Sequence, residues 1–197
     1  MNTKETILAA IKANQPAPAR LPVIDHHNLI ADGADLTALF CQNLEAGGGS
    51  MQRLPDMTAV QQVINEKRAA GGLVLNIIPL AGDIDVVPSS LEILDNLQQV
   101  FILGSVAVAE NGAVWVTESK MLNRILPFIS DQLYLVVYEK QLVSTMHDAY
   151  EKIKTNDDGF GVFIASPSKT ADIEQSLVIG AHGARELVVL VIANEVA

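Results

Sequence analysis

Short, nearly unbroken apolar runs recur along this chain, at Leu73–Ile78, Val100–Leu103, Leu133–Val137, Val162–Ala165 and Leu187–Ile192. Each has the length of a strand and is too short for a buried helix. None alternates with polar residues as a strand with one wet face would, so each calls for cover on both faces, the condition of central strands in a parallel sheet. Helical spacing is read between some of them, around Leu142–Ile153 and Thr170–Val178. Alternation of strand and helix gives an α/β fold with a mainly parallel sheet. One stretch breaks the rhythm. Val106–Ala109 and Ala113–Thr117 are joined by Glu110-Asn111-Gly112, and Asn-Gly between strand-favouring residues predicts a β-hairpin closed by a tight I′ turn.

The covering helices carry their own signals. Asn2 with Glu5 three residues on predicts a capped helix with an apolar stripe at Ile7, Leu8 and Ile11, ending near Asn14. Pro16, Pro18 and Pro22 then make an extended connector that holds the adjacent His26 and His27. Leu36, Leu39, Phe40 and Leu44 recur at helical spacing until Gly47-Gly48-Gly49, and Asp56 opens another helix with Val60, Val63 and Ile64. The triple glycine reads as a turn, because no lysine follows at the spacing of a phosphate loop. With 197 residues, the chain is expected to form one domain over 1–197, into which an N-terminal helix and Pro-rich connector over 1–33 lead.

Composition excludes several functions. Thirteen basic against 23 acidic residues leave a net charge of −10, and the basic residues are scattered, so neither nucleic acid nor an anionic membrane is an expected partner. No apolar run approaches the roughly 20 residues that span a bilayer, and no export signal is read at the N-terminus, so a cytoplasmic location is expected. The single cysteine, Cys41, leaves no internal disulfide. It also leaves no iron–sulfur cluster held by this chain, since a cluster takes about four thiolates. Cys41 is expected to be a buried core thiol. No metal site is expected, and no cofactor. A chain of which 49% is hydrophobic is compatible with a homodimer.

The residues richest in chemistry lie near the C-terminus. Ser166-Pro167-Ser168-Lys169-Thr170-Ala171-Asp172-Ile173-Glu174 follows an apolar run and leads into the helix expected over Thr170–Val178. Hydroxyls at Ser166, Ser168 and Thr170, the charge of Lys169 and a helix N-terminus beyond the carboxyl end of a strand all suit an anionic small molecule. The competing account is structural: Ser168 or Thr170 caps the helix, while Asp172 and Glu174 complement its dipole. Gly180-Ala181-His182-Gly183-Ala184-Arg185 follows. There His182 can move a proton, Gly180 and Gly183 permit close approach, and Arg185 either grips an anion or ties the loop to Glu174. At the hairpin tip Glu110 is a candidate base, against the alternative of a solvated turn residue. Asn111 beside it, and Arg124 ahead of Leu126-Pro127, are candidate pocket groups.

At these residues the chain resembles the LUD-domain family of LutC- and YkgG-like lactate-utilisation proteins. Ser166–Glu174 is similar to the family's Gly-Pro-Ser-Arg/Lys-Thr-Ala-Asp-Ile-Glu, and Gly180–Leu187 to its Gly-x-His-Gly-Pro-Arg-x-Leu. Ala109–Ala113 resembles Ala-Glu-Thr-Gly-Thr but carries Asn111 and Ala113 in place of both threonines. Arg124–Pro127 resembles Arg-x-Leu-Pro, while Ser105 stands where relatives often have aspartate. The resemblance implies the three-layer NagB/RpiA/CoA-transferase-like fold. It also implies a part in oxidising L-lactate to pyruvate with LutA- and LutB-like iron–sulfur partner proteins, any cluster sitting in those partners. It makes Glu110 and His182 candidate catalytic groups, with ligand contacts from the Ser166–Glu174 and Gly180–Arg185 segments. The residues alone leave open a stand-alone enzyme or sensor that binds a phosphorylated or CoA-linked small molecule.

Overall fold

A computed structural model describes residues 2–17, 19–20, 33–79, 82–153, 159–171, 177–180 and 183–193. Helix α1 (Thr3–Ala13) begins at the expected capping box, with Asn2 accepting from Lys4 N and Glu5 accepting from Asn2 N. Its apolar stripe is not buried among the described residues, since Ile7, Leu8 and Ile11 are all exposed. Helix α2 (Leu36–Ala46) is capped by Asp35 and α3 (Met57–Ala69) by Asp56.

Five strands form the main sheet: β1 (Ser50–Leu54), β2 (Leu73–Asn76), β3 (Leu97–Leu103), β6 (Gln132–Tyr138) and β11 (Glu186–Ile192). Their order is β1-β11-β6-β3-β2 and every neighbouring pair is parallel. Four of these strands are the apolar runs read from the sequence. The fifth, β1, has no such run, because Ser-Met-Gln-Arg-Leu sits at an edge and buries only Leu54. The hairpin is β4 (Val106–Val108) and β5 (Ala113–Thr117), antiparallel as a hairpin requires. It belongs to a second sheet, ordered β7-β4-β5-β8, with β7 (Leu142–Val143) and β8 (Gly161–Ile164). The run at Val162–Ala165 therefore leaves the parallel sheet, and the helix expected from Leu142 starts later, as α7 (Met146–Lys152).

Alternate residues on the central strands feed two separate cores. One face buries Val74, Phe101, Tyr134, Val136 and Leu190 against Met57, Val60 and Ile64 of α3. The other buries Val100, Ile102, Leu135, Val137 and Val189 against α2 and the inward face of the second sheet, including Ala107, Val114 and Val116. A third cluster lies outside the second sheet, where Val106, Val108 and Ala113 meet Ala149 of α7. The fold is thus α/β with a mainly parallel central sheet and flanking helices, one cover being partly a second sheet. Two short helices, α5 (Glu118–Met121) and α6 (Leu126–Ile129), connect β5 to β6. A short α4 (Leu91–Leu94) precedes β3, and β9 (Lys169–Ala171) pairs with β10 (Leu177–Ile179). Among the described residues no helix is long and apolar enough to cross a membrane.

Phe101 is fully buried and stacks on Tyr134 with ring centroids 4.3 Å apart. Phe101→Ala is expected to cost about 3–5 kcal/mol in urea unfolding, the range for a large-to-small change that leaves a cavity. Phe128→Ala, at a residue 42% exposed, is expected to stay within about 1 kcal/mol of the parent. Equal losses at the two positions would contradict the assignment of the core.

Candidate functional site

The segment after β8 does not open a helix. Lys169, Thr170 and Ala171 pair with Ile179, Val178 and Leu177 in a two-stranded antiparallel ladder. The Leu-Val-Ile triplet at 177–179 supplies strand-favouring residues that the helical reading absorbed into its period. Ser168 and Thr170 therefore cap no helix, and the helix N-terminus expected at the Ser166–Lys169 turn is replaced by this ladder. Its backbone is occupied instead: Ser168 N donates to Ala184 O at 2.8 Å and Gly180 N donates to Ser168 O at 3.0 Å. Asp172, Glu174 and His182, with His26 and His27, lie outside the described residues, as does the Thr170 side chain.

This turn walls a pocket of about 440 Å³. Ser166, Ser168, Lys169 and Gly183 supply its polar part, and the edge strand β8 another side. Pro127 and Phe128 of α6 with Leu133 and Leu187, near the starts of β6 and β11, supply apolar wall. The pocket lies at the amino ends of two central parallel strands and the carboxyl end of an antiparallel one. That differs from the expectation of a site beyond the carboxyl ends of the parallel strands. The carboxyl end of β2 is closed by its own loop, where buried Asn76 donates from N to Asp85 Oδ2 at 2.6 Å and from Nδ2 to Asp83 O at 3.2 Å. A second, more open depression near there includes Arg68, one Nη of which donates to both carboxylate oxygens of Asp85.

Lys169 connects the pocket to α2. The helix ends in a Schellman motif, with Gly49 N donating to Leu44 O, Gly48 N donating to Glu45 O, and Gly48 at φ +86°. Lys169 Nζ donates to the Gly47 carbonyl, placing a cation at the negative end of the helix dipole. An ammonium has three donors, and one is used here. A Cβ on Gly48 would lie 3.3 Å from Nζ, and one on Gly183 would lie 3.0 Å from Ser168 Cβ. The triple glycine, read from the sequence as a turn, is thus also the floor on which Lys169 rests.

The other candidates are placed elsewhere and do not wall this pocket. Glu110 Oε1 accepts from Met146 N at 2.7 Å, at the start of α7. Asn111 Oδ1 accepts from Ala113 N, folding the tip on itself. The tip is not a I′ turn, because four residues separate the paired Val108 and Ala113 and only Gly112 has positive φ, at +68°. A Cβ on Gly112 would come within 2.6 Å of Leu44 N, and Asn43 Nδ2 donates to Ala109 O, so the tip packs on the last turns of α2. Arg124 forms a bidentate pair with Glu118 at 2.7 and 2.8 Å, which raises its pKa, and it lies 5.0 Å over the Phe160 ring. Arg185 is 71% exposed and meets Asp131 at 3.6 Å, while Gly180 at φ +78° packs on its side chain.

The apolar wall from Phe128, Leu133 and Leu187 is what residue-by-residue reading missed; its one trace in the sequence is the Leu126-Pro127 pair beside Arg124. Among the described residues no three His, Cys, Asp or Glu side chains converge as a metal site would require. Cys41 is partly exposed rather than buried in the core. Desolvation raises its thiol pKa, and the Glu45 carboxylate, 3.4 Å from Sγ, raises it further.

Two tests follow from these contacts. Glu110→Ala is expected to lower stability by about 0.5–1 kcal/mol through loss of the acceptor at the start of α7. Glu110→Gln keeps an acceptor and should unfold near the parent; equal behaviour of the two variants would remove this role. Alkylation of Cys41 by iodoacetamide at pH 8 should run slower than that of an unstructured cysteine peptide, because less thiolate is present, and Glu45→Gln should speed it. A rate above the peptide's would show that the thiol is activated instead.

Comparison with known proteins places these features in a wider group. A family model described as LUD domain matches residues 90–192. An uncharacterised protein of Neisseria meningitidis serogroup B is 31% identical over 120 residues, covering 59% of this chain and 52% of its own length. Lactate utilization protein C of Bacillus pumilus is 32% identical over 102 residues, covering 48% of this chain and 42% of its own. The chain thus spans about half the length of these curated relatives. A crystal structure of a DUF162 family protein from Deinococcus radiodurans superposes with a TM-score of 0.62 at 21% identity, over 80% of this chain and 96% of that one. That likeness concerns the fold.

Proposed function

The chain belongs to the LUD-domain family, and from that premise we propose that it acts in lactate utilisation, as a subunit or accessory of a complex that oxidises L-lactate to pyruvate. The observation that carries the reading is the meeting of two motif segments inside the family-matched span. Ser166–Lys169 and Gly183–Ala184 come together on one pocket wall, joined by the Ser168 N to Ala184 O bond. The relative named lactate utilization protein C supports the same process. The redox step of lactate oxidation needs an electron acceptor. One cysteine gives this chain too few thiolates for a cluster, so iron–sulfur partner proteins are assigned that part.

In this reading the chain contributes binding. Hydroxyls at Ser166 and Ser168 with the remaining donors of Lys169 meet a carboxylate or phosphate, charge-assisted bonds being the stronger kind. The setting is the cytoplasm. The test is genetic and biochemical together, in the source organism grown on L-lactate as carbon source. Deletion is expected to slow growth on L-lactate but not on pyruvate, and the tagged chain is expected to co-purify with protein-bound iron and acid-labile sulfide. Normal growth of the deletion strain on lactate, with no iron in the purified material, would overturn the proposal.

A further inference from the structure

The pocket is too large for lactate alone. A six-heavy-atom hydroxy acid occupies roughly the space of three or four waters at about 30 Å³ each, whereas the pocket measures about 440 Å³. That volume lies within the roughly 300–1,000 Å³ of sites for considerably larger ligands. Its chemistry is divided as well as roomy. Charged and hydroxyl side chains come from one turn, in Ser166, Ser168 and Lys169, while Phe128, Leu133 and Leu187 of other elements supply apolar wall. Lactate has polar atoms on most of its carbons and would leave that wall facing water or its own polar groups.

Phe128 adds a second observation. An aromatic ring 42% exposed at a pocket wall is apolar surface that a ligand could cover, and nothing in the core explains its position. The cross-strand partner of Lys169, Ile179, is 53% exposed. The Ser168 hydroxyl has no hydrogen-bond partner among the described residues, and Ser166 Oγ is engaged only with the carbonyl of the next residue, Pro167, at 3.0 Å. Both hydroxyls can turn to an incoming anion without breaking a long-range contact.

We infer that this pocket takes an amphiphilic anion, with a carboxylate or phosphate head at Ser166, Ser168 and Lys169 and an aliphatic or aromatic body against Phe128, Leu133 and Leu187. The inference rests on the functional reading above only in taking this pocket as the ligand site, and it gives that site a substrate class larger and more apolar than lactate. The chain carries its own reporter. Its single tryptophan, Trp115, packs 4.7 Å from the Phe163 ring, and Phe163 borders the pocket.

The test titrates the full chain with sodium decanoate, decyl phosphate, 1-decanol and L-lactate, below micelle-forming concentrations, following Trp115 fluorescence and calorimetry. One of the two decyl anions should bind saturably and at least tenfold more tightly than either decanol or lactate, and which one does so identifies the head group. Phe128→Glu, at a position exposed enough to leave the fold intact by melting temperature, should weaken that binding at least tenfold. Lys169→Met should remove the advantage of the anion over the alcohol. Lactate binding as tightly as the decyl anions, no saturable binding of either, or binding unchanged in Phe128→Glu would each overturn the inference. A chain that binds a decyl anion yet supports no lactate phenotype would leave this inference standing and sink the functional reading; the opposite pair of results would do the reverse.

Discussion

Everything in this molecule depends on covering both faces of a parallel sheet. A strand paired on both edges and packed on both faces has no side for polar residues, which is why β6 buries every residue from Leu133 to Tyr138. Odd and even positions then serve different layers: Leu133, Leu135 and Val137 face the second sheet and α2, while Tyr134, Val136 and Tyr138 face the α3 side. A register slip by one residue would exchange these two sets. The ladder fixes the register, with β6 running beside β11 from Gln132↔Glu186 to Tyr138↔Ile192. Once that is set, the cover on each side has to end somewhere. The pocket lies near the starts of β6 and β11, where Leu133 and Leu187 meet the turn after β8 and the short helix α6.

The end of α2 is the second organising point, because a helix terminus leaves carbonyls that must find partners. Two are met by the glycine turn through Gly48 N and Gly49 N, and the Gly47 carbonyl by Lys169. One turn earlier Asn43 and Leu44 receive the hairpin tip. A single helix end therefore ties together three parts of the chain far apart in sequence: the glycine turn, the tip at Ala109–Gly112, and the Ser166–Lys169 segment. Two family-like motifs meet around this helix without sharing one cavity. Their common neighbour is backbone, which gives them a shared structural reason to be there, independent of any ligand.

Much of this was legible in the sequence, and the rest was not for identifiable reasons. Continuous apolar runs marked β2, β3, β6 and β11, because burial on both faces leaves no alternative pattern. Caps at Asn2, Asp56 and Gly47 marked helix ends, since each satisfies orphan backbone groups locally. Strand β1 gave no signal, because an edge position asks only for Leu54 inside. The run at Val162–Ala165 looked like a central strand, and nothing local distinguishes a strand of the parallel sheet from one on the covering sheet. At 170–178 the helical reading failed where it rested on spacing alone: the cross-strand pairing of Lys169 with Ile179 is a contact between residues ten apart, which no periodicity reports.

The candidate site divides along the same line. Residues whose chemistry is visible one at a time, Ser166, Ser168, Lys169 and Gly183, do wall the pocket. Glu110, Asn111, Arg124 and Arg185 look equally chemical in the sequence, yet each is engaged by a neighbour: Met146 N, Ala113 N, Glu118 and Asp131. Glu110 and Asn111 satisfy backbone N–H groups near the turn and the two arginines pair with carboxylates, so polarity in such segments is weak information about function. What distinguishes a site is polar groups meeting a surface the fold leaves uncovered. Here that surface is apolar and comes from Phe128, Leu133 and Leu187, residues that in sequence look like any others in a hydrophobic chain. Lys169 shows that the two roles are not exclusive, since its ammonium closes α2 while the residue also lines the pocket. A substitution at Lys169 therefore reports on binding only when α2 is shown to be intact.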